Sequence, residues 1–211
     1  MSMNPYYPVF LNLSGRNCVV AGGGQVALRK VTTLLQYGAD ITVISPRLCK
    51  GLSELDCVGK IQVRRRAYQA GDLQGAYIAI IATGNRSVNL QASLEARCNK
   101  IPVNVVDDAG LSDFIVPSIV RRGSISIAIS TAGKSPALAR KLSTRLEGEL
   151  DDAYAELALL IEGVRRDAKR LKLKISSKRW QEAIDLDNML RLIKQGKGKK
   201  AHDILLERLS K

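Results

Sequence analysis

The sequence predicts an α/β protein: a Rossmann-type parallel sheet, then a small α+β segment and a C-terminal helical domain. Short apolar runs alternate with helical patterns over about the first half of the chain, which is the order of a parallel sheet with crossover helices. A glycine-rich turn follows the first apolar run. Hydrophobic residues make up 45% of the chain but aromatic residues only 4%, a composition typical of a helix-covered parallel sheet rather than a β-sandwich.

The first strand and helix flank that turn. An apolar run from Arg16 to Ala21 predicts a strand that ends at Gly22. Apolar residues then recur at helical spacing up to Gly38, which is well placed to end the helix in the left-handed conformation. A second strand is predicted at Ile41 to Ile44. The helical positions are Val26, Ala27, Val31, Leu34 and Leu35.

The same alternation continues along the chain. It predicts a weak strand at 61–63, a strong strand at 77–82, a helix from about 85 to 98 and a strand at 102–106. Such an order predicts a parallel sheet with right-handed crossovers.

The pattern changes after Asp107. Strands are predicted at 114–120 and 124–130, and the short turn Arg121-Arg122-Gly123 between them favours an antiparallel hairpin. The rest is helical: a long helix from Pro136 into the 160s, a second at 177–194 and a third from Ala201. We expect a Rossmann-type domain at 1–112, a small α+β segment at 113–149, and a helical domain at 150–211.

Net charge and cysteine content indicate the kind of partner and the cellular compartment of the protein. The formal net charge of +13 attracts anions, which leaves nucleic acid, lipid and polycarboxylate open as partners. The four cysteines lack C-x-x-C spacing, which favours a reduced, cytoplasmic protein. Residues 1–5 lack the order of a signal peptide, and no apolar stretch approaches the ~20 residues that span a bilayer. We therefore expect a soluble protein without a membrane partner.

The glycine-rich turn predicts a dinucleotide site. It reads Gly22-x-Gly24-x-x-Ala27 between a strand and a helix, where the first glycine permits a tight turn and the second lets the pyrophosphate approach the backbone. Gln25 and Val26 open the helix, whose free amides and partial positive charge favour phosphate. A turn that serves packing alone is the alternative.

The end of the second strand does not decide between NAD and NADP. An acid normally stands there to bind the adenosine ribose, and this chain has Ser45-Pro46-Arg47 instead. Ser45 can bond a ribose hydroxyl, whereas Arg47 can pair with a 2′-phosphate. Thr83, after the next strong strand, is also placed where loops meet the cofactor.

Several stretches that occur in a fixed order carry a family resemblance. They cover about the first 150 residues: 7–13, 20–30, 103–107, 114–118 and 130–140. In these stretches the sequence resembles the precorrin-2 dehydrogenases of siroheme biosynthesis. That resemblance implies oxidation of precorrin-2 to sirohydrochlorin with NAD as hydride acceptor, in a homodimer whose dimerisation and substrate-binding segment is 113–149. Some members of that family also insert ferrous iron.

The segment from Phe114 to Leu146 supports this independently because it has no acid and six basic residues, which suits a substrate with many carboxylates. Ser135 is placed to cap a helix that begins at Pro136, after a loop that offers donors to an anion. An ordinary capped helix with solvated basic residues is the alternative. The predicted substrate-binding residues are Asn104, Thr131, Lys134, Ser135 and Arg140.

Asp107 is the predicted catalytic residue. It follows the strand end at Asn104-Val105-Val106, on the edge where open α/β sheets bind ligands, and it matches the family's active-site aspartate. We hypothesise that it accepts the proton released as hydride leaves. The alternative is that Asp107 or Asp108 only caps the following turn.

Three other functions each have some bearing on this sequence. His202 and the cysteines have no metal-ligand spacing, so no metal site is predicted and iron or cobalt insertion stays open. A dinucleotide sensor without catalysis would explain the first 110 residues but not the basic segment. A nucleic-acid-binding protein would explain the basic clusters at 169–179 and 194–200, which lack aromatic interleaving and are better read as solvated helix faces. The role and partner of the C-terminal helices stay open.

Overall fold

The computed structural model describes residues 6–211, in two compact units. The first unit runs to Val116 and the second is Pro117–Lys211. Residues 1–5, which the sequence assigned to the first domain and to the polar start, lie outside the described residues.

The first unit is built on a five-stranded parallel sheet, as predicted. Its strands in sheet order are β3-β2-β1-β4-β5. This is the strand order of a Rossmann fold, in which the order reverses between β1 and β4 and ligands bind at that switch point. The carboxyl ends of β1 and β4 therefore lie side by side. The strands are β1 (Asn17–Ala21), β2 (Asp40–Ile44), β3 (Gln62–Arg64), β4 (Ile78–Ile81) and β5 (Val103–Val105).

Helices cover both faces of this sheet. Alternate residues of β1 point to opposite faces, so Val20 joins one apolar cluster and Val19 the other. Helix α1 (Gln25–Gln36) packs in the first cluster through Ala27 and Val31. Helix α3 (Arg86–Cys98) packs in the second. The sheet is thus buried on both sides, which explains its continuous apolar runs.

Helix α2 (Lys50–Cys57) was missed in the sequence. It buries a single side chain fully, Leu52, and carries Gly51 in its first turn, so its helical signal is weak. Gly51 lies close to α1: a Cβ at this position would lie 2.6 Å from Cδ2 of Leu28.

The predicted hairpin exists, but its turn lies further along the chain, because Arg121 and Arg122 belong to a strand. The strands are β6 (Ser118–Arg122) and β7 (Ile125–Ile129), with Arg122 paired to Ile125. The pairing leaves Gly123 and Ser124 as the turn. Gly123 takes the left-handed conformation, with φ 55°, that such a tight turn needs. Residues 114–117 form no strand; Phe114 packs instead against the α1 side of the first unit's core.

The long helix predicted from Pro136 into the 160s is two helices, α4 (Pro136–Glu149) and α5 (Asp152–Arg170). The break lies at Leu150, after which Asp151 accepts a hydrogen bond from the Ala153 amide and caps α5. A capping aspartate competes with a continuous helix because it bonds the next helix's free amides.

The second predicted helix also breaks, into α6 (Ser177–Ala183) and α7 (Leu186–Lys194), where Asp185 caps α7. The last helix, α8 (Gly198–Ser210), starts three residues before the predicted Ala201. The four helices from α5 onwards share one apolar core around Leu157, Met189 and Leu205, and α4 and α5 pack on the hairpin.

Candidate functional site

The turn between β1 and α1 brings three loops together at the carboxyl edge of the sheet. Gly22 has φ 128°, and a Cβ there would lie 2.3 Å from the carbonyl oxygen of Ala82. Gly23 faces the loop after β2: a Cβ there would lie 1.9 Å from the Arg47 carbonyl oxygen. Only glycine fits at both positions. The sequence motif missed Gly23, whose need comes from a loop 24 residues away.

The first turn of α1 is open to an anion. Gly24 is the N-cap and supplies no side-chain hydrogen bond, and the first turn carries no acid. A Cβ on Gly24 would meet nothing within 4 Å, so space lies above this backbone. Free helix amides, positive dipole and empty space together fit a dinucleotide pyrophosphate. Gln25 and Val26 are exposed beside it.

The loop after β2 contains the predicted Ser45, Pro46 and Arg47. Ser45 is 7% exposed, and its hydroxyl donates to the Arg47 carbonyl at 2.7 Å. Its donor is therefore used within the loop. Pro46 and Arg47 are exposed.

Thr83 lies after β4, as predicted, but its hydroxyl is bonded within the chain. The Oγ1 atom donates to Oδ1 of Asn89 at 2.5 Å, and the Asn89 side-chain amide donates to the Thr83 carbonyl at 3.2 Å. Asn85 next to it caps α3 by accepting from the Ser87 and Val88 amides. This network fixes the loop at the edge of the sheet.

Asp107 lies in the turn after β5, with φ 61° and an exposed side chain. The capping role that competed for it is filled by its neighbour, since Asp108 Oδ1 accepts from the Leu111 amide at 3.2 Å. Within residues 6–211 the Asp107 carboxylate has no hydrogen-bond or ion-pair partner. Its oxygens are therefore available to a ligand.

Lys30 on α1 is a neighbour of Asp107 that the sequence analysis left without a role. Burial lowers the pKa of Lys30, Arg29 beside it lowers the pKa further, and the Asp107 carboxylate opposes both. The sequence signal was present, because Lys30 stands in the matched stretch after the glycine turn, but only the fold brings it close to Asp107.

Asn104 has a contact of its own. Its side-chain amide donates to the Phe114 carbonyl at 2.9 Å, and the residue is 9% exposed. Asn104 thus holds the chain that leaves the first unit's core. Its predicted substrate contact stays a prediction.

In the second unit, the loop before α4 is ordered by its own hydroxyls. The Ser135 hydroxyl accepts from the Leu138 amide, which confirms the predicted N-cap with Pro136 in the first turn. Thr131 Oγ1 accepts from the Ser135 amide at 3.0 Å. Ala132 and Gly133 both have positive φ, 52° and 81°, so the loop is tightly wound.

The basic residues of this unit do not all face solvent. Arg122 donates to the carbonyls of Leu150 and Glu147 at 2.7 and 3.0 Å, which satisfies the end of α4. Arg145 pairs with Glu149 at 3.1 Å. Lys134, Arg140 and Lys141 are exposed. Arg122 is one of the six basic residues of the acid-free segment, and its guanidinium is used in hydrogen bonds to the end of α4.

No three of the histidines, cysteines and acids in the described chain form a group that could hold a metal ion. His202 instead bridges Asp167 and Asp203, at 3.1 and 3.4 Å. None of the described helices is both long and apolar enough to cross a bilayer.

Comparison with known proteins agrees with this architecture. A family model described as putative NAD(P)-binding matches residues 9–118, which is more than half of the chain. A second, described as sirohaem biosynthesis protein central, matches residues 122–148. The solved structure of SirC, precorrin-2 dehydrogenase, superposes with a TM-score of 0.75 at 28% identity, covering 96% of this chain and 100% of that one. The chain belongs to the precorrin-2 dehydrogenase family.

Relatives in this family include longer proteins. The siroheme synthase of Nitrosospira multiformis is 46% identical over 157 residues, or 72% of this chain and 33% of that protein. The siroheme synthase of Methylococcus capsulatus is 37% identical over 204 residues, or 96% of this chain and 43% of that protein. The chain thus spans a third to under half of the length of these relatives. The family predicted from the motifs is confirmed.

Proposed function

We propose that this chain oxidises precorrin-2 to sirohydrochlorin with NAD as hydride acceptor. The observation that carries the proposal is the likeness to SirC over the whole of both chains. The open amides and space above Gly24 agree with it. The oxidation removes two hydrogens from the substrate, one as hydride and one as a proton.

The phosphate turn holds the cofactor. Gly22 and Gly23 keep three loops in contact, and the first amides of α1 bind the pyrophosphate. Gln25, Val26, Ser45, Pro46, Arg47 and Thr83 line the cofactor path at the same edge of the sheet. Bound NAD supplies the hydride acceptor.

Asp107 receives the proton. Its carboxylate is free of partners in the described chain, whereas Asp108 is used in the turn. A carboxylate without an internal partner can take up a proton without breaking a structural contact. Lys30 adds positive charge nearby.

The second unit binds the substrate carboxylates. Lys134 and Arg140 are exposed cations, and the wound loop containing Thr131 and Ser135 holds them at the start of α4. Arg140 suits a carboxylate because its fork makes two parallel hydrogen bonds. Asn104, in the first unit, is the remaining residue proposed to contact the substrate.

Turnover tests the proposal directly. The purified chain is incubated with precorrin-2 and NAD under anaerobic conditions, while NADH and the product chromophore are followed by absorbance. Equal amounts of both products are expected. A dinucleotide sensor without catalysis would bind NAD and form neither product, which would overturn the proposal. Sirohydrochlorin with ferrous or cobaltous ion, against the metal-only background, tests insertion as a separate activity.

Assembly and location complete the proposal. We propose a cytoplasmic homodimer in which residues 113–149 form the contact and residues 150–211 a helical domain. The apolar face of β7, formed by Ile125, Ile127 and Ile129, is only half buried. Light scattering is expected to give twice the chain mass of 23.0 kDa; a monomer across micromolar concentrations would contradict it.

A further inference from the structure

The end of β2 lacks the group that normally selects NAD over NADP. An acid at this place bonds the ribose 2′-hydroxyl and repels a 2′-phosphate. Here the chain has Ser45, Pro46 and Arg47. The Ser45 hydroxyl donates to the Arg47 carbonyl, and the residue is nearly buried. Nothing in this loop therefore repels an additional phosphate.

The same loop lies against the phosphate turn. A Cβ on Gly23 would overlap the Arg47 carbonyl oxygen at 1.9 Å, and the Cys49 amide donates to the Gly23 carbonyl at 2.8 Å. The backbone of Arg47 thus touches the turn that binds the pyrophosphate. Its side chain starts just after the end of β2, where folds of this type bind the adenosine ribose.

The neighbouring cations are already paired. The Ser45 amide donates to the Arg64 carbonyl, so β3 ends beside this loop. Arg64 and Arg66 both bind the buried Asp72, at 2.9 and 2.6 Å. Arg65 binds Asp56 at 2.7 Å. These guanidinium groups are held by carboxylates of the protein.

Arg47 differs from them. It is exposed, and within the described part of the chain its guanidinium has no ion-pair or hydrogen-bond partner. A free guanidinium beside a ribose site, with no acid to compete for it, is the arrangement that receives a phosphate through two parallel hydrogen bonds.

We propose that Arg47 binds the 2′-phosphate of NADP, so that the site accepts NADP as well as NAD. This inference rests on the proposed dinucleotide site and adds the residue that sets its cofactor range. The hydride chemistry is the same with either cofactor, since the 2′-phosphate lies on the adenosine and far from the nicotinamide.

Calorimetry with NAD and NADP tests the inference without turnover. The wild-type protein is expected to bind both, with dissociation constants within about tenfold of each other. In Arg47→Ala the ratio of the NADP constant to the NAD constant is expected to rise at least about tenfold, the loss expected for a charged hydrogen-bonded pair. Arg47→Glu should raise the ratio further, because it restores an acid at this position. The ratio cancels any general loss of anion affinity.

Lys50→Ala is the matched control. Lys50 lies three residues further on, its side chain is 92% exposed, and it pairs only loosely with Glu54 at 3.9 Å. Its removal takes away the same charge and should leave the ratio at the wild-type value. An equal change in both variants would reduce the effect to net charge and overturn the assignment.

Two further outcomes decide the matter. Binding of NAD with no detectable binding of NADP by the wild-type protein would overturn the inference and leave the proposed function standing. Binding of neither cofactor would overturn the dinucleotide site itself. With precorrin-2 present, kcat/KM should be higher for the cofactor with the lower dissociation constant. Arg47→Ala should therefore lower kcat/KM for NADP more than kcat/KM for NAD.

Discussion

At the scale of single residues, the three adjacent glycines of the phosphate turn are needed for different reasons. Gly22 has a positive φ and touches the loop after β4, Gly23 touches the loop after β2, and Gly24 faces open space. The first two are required by the fold, because backbone atoms occupy the place of a side chain. The third is free for function, because nothing in the protein fills the space above it.

This difference predicts opposite outcomes for two alanine variants. Gly24→Ala should fold, at a cost of about 1 kcal/mol or less for a weaker N-cap, and should weaken NAD binding at least about tenfold because a methyl group enters the phosphate space. Gly23→Ala should lose about 3 kcal/mol or more of stability, because its Cβ overlaps a backbone oxygen. Thermal melts and calorimetry distinguish them. A stable Gly23→Ala protein would show that the turn is more plastic than its geometry indicates.

Asp107 and Asp108 give a second matched pair. Asp107→Asn should lower the rate constant of NADH formation in a single turnover about 10²- to 10⁴-fold, which is the usual contribution of a proton acceptor. Asp108→Asn keeps an oxygen that can accept from the Leu111 amide and should retain most of the rate. Similar rates for both variants would remove Asp107 from the mechanism.

At the scale of elements, the segment after β3 is held by a buried carboxylate. The hydrogen bond from Arg66 lowers the pKa of Asp72 to about 2; burial opposes this, and the Gln69 amide and Arg64 add to it. The pKa in the unfolded chain is higher, near 3.8. The stabilisation is therefore present above about pH 4 and is lost as the pH falls towards 2.

The wild-type protein should accordingly lose about 1–2 kcal/mol of stability between pH 4 and 2 from this carboxylate. Asp72→Asn should be less stable at pH 7 and show a shallower decline, as measured by urea unfolding at each pH. Asp56→Asn is the control, since its pair with Arg65 is more exposed. Parallel pH curves for wild type and Asp72→Asn would refute the role of this group.

The junction between β6 and α4 depends on Arg122. This side chain bonds two carbonyls at the end of α4, so Arg122→Gln should cost about 1–3 kcal/mol by leaving them unsatisfied. Lys141→Gln, on the exposed side of α4, should change stability by less than about 0.5 kcal/mol. Urea unfolding measures both. Equal midpoints would show that water replaces the guanidinium without loss.

Some elements were predicted correctly and others were missed, and the difference follows from how many of their side chains are buried. Strands β1, β2, β4 and β5 were found because both faces of the sheet are covered and most of their residues are apolar. Helix α2 was missed because it buries one side chain fully. The breaks at Leu150 and before Asp185 were missed because the apolar pattern continues across them. Asp151 and Asp185 each cap the helix that follows, and the structure shows this as hydrogen bonds to backbone amides.

At the scale of the whole molecule, net charge should govern substrate capture. The chain carries +13, and its proposed substrate is a polycarboxylate, so attraction extends over about a Debye length, ~10 Å at 0.1 M salt. The KM for precorrin-2 should rise several-fold between 0.05 and 0.5 M sodium chloride, and more steeply than the KM for NAD. Steady-state kinetics at fixed pH measures both. Equal salt dependence would show that charge does not favour the tetrapyrrole.

The sequence by itself determined the sheet, the glycine-rich turn after β1 and the family, because periodic burial and glycine at a strand-to-helix turn are local properties. It also placed Asp107 and Ser135 at the ends of elements. Only the tertiary structure decided which polar side chains are free: Asp107 and Arg47 have no partner within residues 6–211, whereas Asp108, Asn104 and Arg122 hold the chain. The Arg122 contact joins residues 28 apart in sequence, and even for the nearer pairs the identity of a residue does not reveal what lies opposite it in space.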